Sequence, residues 1–302
     1  MNLLKKGPSL FGFERYRNTC IHPWNRVYSK KPDRISVGNK NMSTSGSFLS
    51  VEAEDFASLS DCLDWCRGNS TRDAGPTYVF FCHTLCPYAE RVWLALLEEP
   101  QARERFVLVH VDLSNKPRWY LENVHPRGLV PSVLVDDGGR NPQVLIESID
   151  ICMWILGTKE GVGRDVDIVV SAALEAIGGN GRYWGIGTNI SKRQRDDFED
   201  ACKTVFHPSR CLSQLESIAL FPFMYRAWVA MKSAYGIDIF LMDDGRVGVW
   251  MENMMLSRES TKITCAAEDA LAGAFQRHKS LDFFDYVSYG IFDLHPHMTS
   301  HA

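Results

Sequence analysis

The chain lacks long apolar runs and any excess of positive charge. No stretch approaches the roughly 18 consecutive apolar residues that a membrane-crossing helix needs, so we expect no membrane span. Lysine and arginine number 33 against 37 aspartate and glutamate, which gives a formal net charge of −4. No global basic field therefore indicates nucleic acid as a partner.

Cysteine is too sparse for a disulfide scaffold. Nine cysteines, an odd number, are spread over 302 residues, unlike the dense pattern of small secreted domains. We expect these thiols to be mostly reduced and the compartment to be a reducing one. With 45% hydrophobic and 23% charged residues, the chain is long enough for two ordinary domains with real cores.

The first 50 residues have few acidic side chains. They hold two, Glu14 and Asp33, and nine basic residues, Lys5, Lys6, Arg15, Arg17, Arg26, Lys30, Lys31, Arg34 and Lys40. This composition resembles an organelle transit peptide, and no apolar segment predicts secretion. A disordered basic tail, or an extension ahead of a start at Met42, explains it equally. We expect a cytoplasmic protein, with a plastid or mitochondrion as the alternative if residues 1–50 are a transit peptide.

The stretch "FFCHTLCPYAERVWLALLEE" at 80–99 places a cysteine directly before a helix. "TYVFF" (77–81) has the β-branched and aromatic composition of a buried strand. Apolar residues then recur at helical spacing after Pro87, which suits a first helical turn. The acidic and basic residues take the other positions: Glu90, Arg91, Glu98 and Glu99.

Cys86 falls at the N-cap of this predicted helix. Unpaired backbone N–H groups and the positive end of the helix dipole favour a thiolate there. The sequence therefore predicts an acidic, nucleophilic thiol. The alternative is a small apolar residue that happens to begin a helix.

The order of elements predicts a small mixed sheet covered by helices, followed by a helical domain. A helix-like pattern at 53–66 precedes alternating strands and helices at 77–81, 87–99, 106–112, 117–124, 132–136, 144–146 and 148–156. The longest later helix, near 213–234, opens with a capping box of Ser213 and Glu216 and contains Pro222. We interpret the glycine-rich stretch at 178–187 as a loop and not a nucleotide site.

These patterns divide the chain into four parts. They are a basic tail or transit peptide at 1–50, a helix and linker at 51–75, an α/β domain at 76–157 and a helical domain at 165–302.

Four motifs now occur in one order: "CPYAERVW" (86–93), "NKPRWY" (115–120), "GLVPSVLV" (128–135) and "IESIDI" (146–151). Together they resemble the thioredoxin-like half of the cysteine-type glutathione transferases, close to the omega and lambda classes. The helical half resembles that family more loosely. The resemblance implies the glutathione transferase architecture, a thioredoxin-like domain followed by an all-α domain.

The resemblance also implies a glutathione site. Cys86 would form a mixed disulfide with glutathione, and Val130, before a cis Pro131, would pair its backbone with the cysteinyl part. Glu147 and Ser148 would hold the γ-glutamyl end, and Lys116 would meet the glycyl carboxylate. We expect Glu147 to be partly shielded and Lys116 to lie at the solvent edge.

A cysteine nucleophile implies thiol transfer. The expected reaction is reduction of a small disulfide, a glutathionylated thiol or dehydroascorbate with two glutathione molecules. Ala89 stands where a resolving thiol would be, so a second glutathione would resolve the mixed disulfide. Cys82 could compete for that role, although its place at the end of a strand predicts burial. An acceptor pocket would be lined by Tyr88, Tyr225, Arg226 and Trp228.

Several alternatives stay open. The pairs Cys62/Cys66 and Cys82/Cys86 miss the usual zinc spacings, and the histidines at 295, 297 and 301 lie in an expected flexible tail, so we expect no metal. A non-catalytic relative of the fold, as in elongation-factor gamma subunits or intracellular chloride channel proteins, is one rival. A conjugating transferase or glutathionyl-hydroquinone reductase is another. The chain would be a monomer or homodimer.

Overall fold

The computed structural model describes residues 49–69, 76–83, 86–99, 106–113, 115–137, 142–178, 190–265, 267–269 and 271–272. All of them belong to one compact unit, Ser45–Ala302. The basic tail, nearly all of the glycine-rich loop and the three C-terminal histidines lie outside the described residues.

Five strands of the described chain form one mixed sheet. They are β1 (Leu49–Glu52), β2 (Thr77–Cys82), β3 (Phe106–His110), β4 (Ser132–Asp136) and β5 (Gln143–Ile146). Their order is β1-β3-β2-β4-β5. β1 and β2 run parallel to β3, whereas β4 pairs antiparallel with both β2 and β5. The predicted thioredoxin-like sheet is confirmed.

β1 was not among the predicted strands. Its four residues, "LSVE", are too few to show an alternating pattern, and they become a strand through pairing with β3, Leu49 opposite Val107. The first helix also begins later than the pattern at 53–66 indicates. A 3₁₀ turn occupies Ala53–Asp55, and Phe56 is extended. The Ser58 hydroxyl then accepts the Asp61 N–H at 3.1 Å and marks the helix start.

The α-helices of the described residues pack against the sheet and build the helical half. They are α1 (Leu59–Asn69), α2 (Pro87–Glu98), α3 (Arg118–Asn123), α4 (Ser148–Leu156), α5 (Arg164–Gly178), α6 (Lys192–Val205), α7 (Gln214–Tyr235), α8 (Arg246–Ser257) and α9 (Glu259–Thr264).

Helix α7 forms the centre of the helical half. Ser213 caps it, and both bonds of the predicted capping box with Glu216 are present. The helix runs through Pro222 and ends at Gly236, which has a φ of 64°. Its residues from Ser217 to Met231 are buried, as expected for a helix that packs on all sides.

Helix α2 joins the two halves through a buried ion pair. Arg226 of α7 donates from Nη1 to Glu90 Oε2 at 2.5 Å, and the two side chains are 1% and 2% exposed. The Thr264 hydroxyl donates to the other Glu90 oxygen at 3.3 Å. Glu90 and Arg91 take positions between the apolar residues of the helical pattern, yet both are buried, because α2 packs against both α4 and α7.

A second polar cluster joins the far end of α2 to the helical half. Glu98 accepts two bonds from Arg258 Nη1, at 2.8 and 2.9 Å. Ser260 Oγ and Gln214 Nε2 also donate to it, each at 2.9 Å. The end of α2 is thereby fixed to the starts of α7 and α9.

Arg226→Met tests the ion pair of α2 and α7. The change leaves the Glu90 carboxylate buried without its partner charge, which should lower the free energy of unfolding by about 3–5 kcal/mol. Urea unfolding followed by tryptophan fluorescence measures the loss. Arg118→Met is the control, because Arg118 pairs with Glu122 on the surface and such pairs contribute little.

The stability loss should depend on pH. Burial raises the pKa of Glu90, and Arg226 opposes this shift. Without Arg226 the carboxyl pKa rises further in the folded state, so stability is lost as pH rises through that pKa. The deficit of Arg226→Met should therefore be larger near about pH 8 than near about pH 5. An equal deficit at both pH values would contradict this explanation.

Candidate active site

The candidate site lies where β2 ends and α2 begins. Cys86 is the N-cap of α2, with φ −77° and ψ 116°, and Pro87 takes the first helical position. The sequence predicts this arrangement from the same residues. The Cys86 backbone N–H donates to His83 O at 3.0 Å, which closes the turn between strand and helix.

The Cys86 thiol is buried and contacts the next loop of the sheet domain. Its side chain is 1% exposed, and Sγ donates to Val130 O at 3.6 Å. The two residues are 44 positions apart in sequence. The sheet topology therefore brings together two residues that the resemblance assigns to one site.

Burial and the helix terminus act on Cys86 in opposite directions. Burial raises the pKa of the thiol. The Ala89 N–H, the Arg226 guanidinium, the Tyr88 N–H and Arg91 lower it, in that order of effect. Burial is the larger effect, so the pKa lies above its ordinary value. The prediction of an acidic thiol is wrong, because the sequence pattern shows the helix terminus but not the burial.

The peptide bond between Val130 and Pro131 is cis, as the resemblance implies. The Tyr120 hydroxyl donates to Leu129 O at 2.5 Å and lies 3.3 Å from Ser132 Oγ. It thus holds the chain on both sides of this bond. Tyr120 lies in the "NKPRWY" motif, but no feature of the motif by itself indicates this role.

Glu147 and Ser148 occupy the start of α4, where the resemblance places the γ-glutamyl end of the ligand. Glu147 is the N-cap, with φ 67° and ψ 115°. A positive φ is uncommon for a side chain of this kind and often occurs at functional sites. Glu147 is exposed, whereas Ser148 is 6% exposed. The expected shielding of Glu147 is therefore not observed.

Lys116 lies beside Gly128. A Cβ atom at Gly128 would stand 2.6 Å from Lys116 Cδ, and Gly128 has a φ of 64°, a left-handed conformation that favours glycine. Lys116 is half-buried, which places it deeper than the expected solvent edge.

His125 is a buried histidine near both charged side chains. Burial lowers its pKa most, Arg127 and Lys116 lower it further, and Glu147 raises it. Glu147 and Lys116 therefore both lie within electrostatic reach of one imidazole. The structure brings the anionic Glu147 and the cationic Lys116 onto one surface, although they are 31 positions apart in the chain.

Three of the four predicted acceptor-pocket residues are interior. Tyr225, Arg226 and Trp228 are 5%, 1% and 3% exposed, and Arg226 is bound to Glu90. Pocket-lining residues of α7 could not be distinguished from core residues in the sequence, because α7 is buried on every side. Tyr88 is half-exposed, and its ring lies 5.0 Å from that of Phe223.

Cys82 is a poor second nucleophile. It is 1% exposed, as predicted, and its Sγ lies 3.5 Å from His110 Nδ1. Burial raises its pKa well above the ordinary value.

Within the described residues, no group of three or more His, Cys, Asp or Glu side chains could hold a metal ion. In the same part of the chain, no helix has the length and apolar content to cross a membrane.

The structure combines a thioredoxin-like sheet with a cysteine at a helix N-cap beside a cis-proline, the arrangement that the resemblance to the cysteine-type glutathione transferases implies. The family model "Glutathione S-transferase, N-terminal domain" matches residues 81–163. Glutathione S-transferase L1 of Arabidopsis thaliana is 30% identical over 207 residues, which are 62% of this chain and 82% of the relative. The chain belongs to the glutathione transferase family, and its type is omega- or lambda-like.

Other relatives match over less of their length. Glutathione S-transferase L2, chloroplastic, of Arabidopsis thaliana is 27% identical over 60% of this chain and 63% of the relative. Protein IN2-1 homolog A of Oryza sativa subsp. japonica is 33% identical over 29% of this chain. The chain spans 33% of that relative's length.

Solved structures share the fold at low sequence identity. Glutathione transferase Omega 2C from Trametes versicolor has a TM-score of 0.53 at 19% identity and matches 68% of this chain and 99% of its own. Dehydroascorbate reductase from Chlamydomonas reinhardtii has a TM-score of 0.50 at 16% identity, with 67% and 98% covered.

The raised pKa of Cys86 predicts its reactivity in the free protein. Iodoacetamide should alkylate it at a rate that keeps rising with pH past neutrality, because the thiolate forms late. Peptide mass spectrometry at a series of pH values measures this rate. Alkylation of the exposed Cys211 in the same samples shows that the reagent is active at every pH. A Cys86 rate that reaches its plateau below the ordinary thiol pKa of about 8.5 would contradict the effect of burial.

Proposed function

We propose that this protein is a glutathione-dependent thiol transferase and reductase that acts through a mixed disulfide between Cys86 and glutathione. Its acceptors would be small disulfides, glutathionylated thiols or dehydroascorbate. The observation that carries the proposal is the placement of Cys86 at the start of α2, with Sγ 3.6 Å from Val130 O beside the cis Pro131.

The surrounding charges support glutathione as the co-substrate. Glutathione carries an ammonium and a carboxylate at its γ-glutamyl end and a second carboxylate at its glycyl end. Glu147 would accept from the ammonium, Ser148 and the first N–H groups of α4 would bind the adjacent carboxylate, and Lys116 would pair with the glycyl carboxylate. The Val130 backbone would pair with the cysteinyl residue between them.

The reaction would proceed in two thiol exchanges. The Cys86 thiolate attacks the glutathione sulfur of a mixed disulfide RS–SG, forms Cys86–S–SG and releases RS⁻, which takes up a proton. A second glutathione thiolate then attacks the glutathione sulfur of the adduct, releases oxidised glutathione and restores Cys86. With dehydroascorbate, two glutathione molecules supply the two electrons and two protons. Ala89, in place of a resolving cysteine, supports resolution by glutathione.

The electrostatics of the site predict how the thiolate forms. The first N–H groups of α2 and the charges of Arg226 and Arg91 favour it, and burial opposes it. The rate of the first exchange should therefore increase as the pH rises above neutrality.

Cys86→Ser tests the mechanism. A hydroxyl of similar size can cap α2, so the variant should keep the wild-type circular dichroism spectrum. It should lose glutathione-dependent reduction of hydroxyethyl disulfide and of dehydroascorbate, because a hydroxyl cannot form the mixed disulfide. Cys211→Ser, at an exposed position, is the matched control and should retain full activity.

The same assays separate the rival functions. Undiminished disulfide reduction by Cys86→Ser would rule out the mechanism. Wild-type protein that conjugates chlorodinitrobenzene but does not reduce disulfides would be a conjugating transferase. Inactivity with every acceptor, together with no binding of glutathione, would favour a non-catalytic role for the fold.

A further inference from the structure

Arg91 follows the glutamate of the α2–α7 ion pair and makes a different set of contacts. It is 5% exposed. Its Nε donates to Ala219 O of α7 at 2.7 Å, and its Nη1 donates to Ser148 Oγ at 3.3 Å. Its guanidinium carbon lies 4.5 Å from the ring centre of Phe223 and 5.3 Å from that of Tyr88. One side chain thus links α2, α7 and the start of α4.

The guanidinium binds in the turn of α7 that precedes Pro222. Pro222 has no N–H to offer the carbonyl of Ile218, and its ring crowds the preceding turn. Ala219 lies in that turn, and its carbonyl accepts the Arg91 N–H. Phe223, directly after the proline, supplies the aromatic face beneath the guanidinium. Arg91 is therefore held in one orientation by α7 before it reaches Ser148.

The orientation of Arg91 determines the hydrogen-bonding role of the Ser148 hydroxyl. A guanidinium donates hydrogen bonds and accepts none, so the Ser148 oxygen is the acceptor. The single hydroxyl proton of Ser148 is then left to donate elsewhere. The positive charge of Arg91 also lies next to the start of α4, where backbone N–H groups already favour an anion.

We propose that Arg91 is a positioning residue that acts through Ser148. It keeps the Ser148 hydroxyl as a donor toward a ligand carboxylate, and it adds positive charge at the start of α4. The inference rests on the proposed function, in which that carboxylate belongs to the γ-glutamyl end of glutathione. It also makes the helical half part of the glutathione site, because Ala219 and Phe223 of α7 hold Arg91 in place.

Binding of S-methylglutathione, an unreactive analogue, by isothermal titration calorimetry tests the inference. Arg91→Met keeps a long apolar side chain against Phe223 but removes the donors, and it should weaken binding about 10–150-fold, the range for hydrogen bonds to charged groups. Arg91→Lys keeps the positive charge but cannot reach Ala219 O and Ser148 Oγ at the same time, so it should lose less affinity. It also serves as the second variant if Arg91→Met does not fold.

A double-mutant cycle distinguishes action through Ser148 from a general structural effect. Ser148→Ala should weaken binding by itself. Either change at Arg91 should then add little in the Ser148→Ala background, because the two residues act as one unit. Arg258→Met is the matched control, since Arg258 also links α2 to the helical half, through Glu98, and has no contact with Ser148. It should leave the affinity unchanged.

A truncated ligand shows which part of glutathione depends on Arg91 for binding. S-methylcysteinylglycine lacks the γ-glutamyl residue, so wild-type protein and both Arg91 variants should bind it with equal affinity. The role of Arg91 would be overturned if the double variant lost affinity by the product of the two single-variant factors. Equal weakening of S-methylglutathione and S-methylcysteinylglycine binding would overturn it too. Unchanged binding in a folded Arg91 variant would overturn it as well. Wild-type protein that fails to bind S-methylglutathione would instead contradict the proposed function itself.

Discussion

The relation between the two halves of this protein depends on the buried ion pair of Glu90 and Arg226. Two charges that are almost fully removed from water are tolerated only when they satisfy each other and their remaining hydrogen-bonding groups. Arg226 also donates to Pro222 O at 2.9 Å, and Thr264 completes the surroundings of Glu90. The pair therefore fixes α2, α7 and α9 in one arrangement, and the start of α2 carries the candidate nucleophile.

Helix α2 links the core to the candidate site through neighbouring residues. Glu90 faces the ion pair, Arg91 reaches Ser148 and α7, and Cys86 lies one turn earlier at the N-cap. Both arginines favour the Cys86 thiolate, even though one belongs to the helical half. The electrostatics at the sulfur are consequently a property of the assembled halves and not of the thioredoxin-like domain alone.

The opposing effects on the pKa of Cys86 show why a local motif is an incomplete guide to reactivity. The N-cap position favours the charged form through a few backbone N–H groups. Removal of the sulfur from water disfavours that form more strongly. A helix terminus is visible in sequence as a pattern of adjacent residues. Burial depends on which segments pack over the sulfur, and here these include Val130, far away in the chain.

Local sequence determined much of this protein. The helix start at Cys86 and Pro87, the capping box of Ser213 and Glu216, the four predicted sheet strands and the family motifs all depend on residues close together in the chain. Tertiary structure decided the rest. β1 exists through its pairing with β3, and Glu90 and Arg91 are interior because α2 packs on two sides. Arg226, Tyr225 and Trp228 became core residues for the same reason in α7. Each of these outcomes depends on contacts between distant segments, and periodicity within one segment does not specify which partner, if any, will cover its other face.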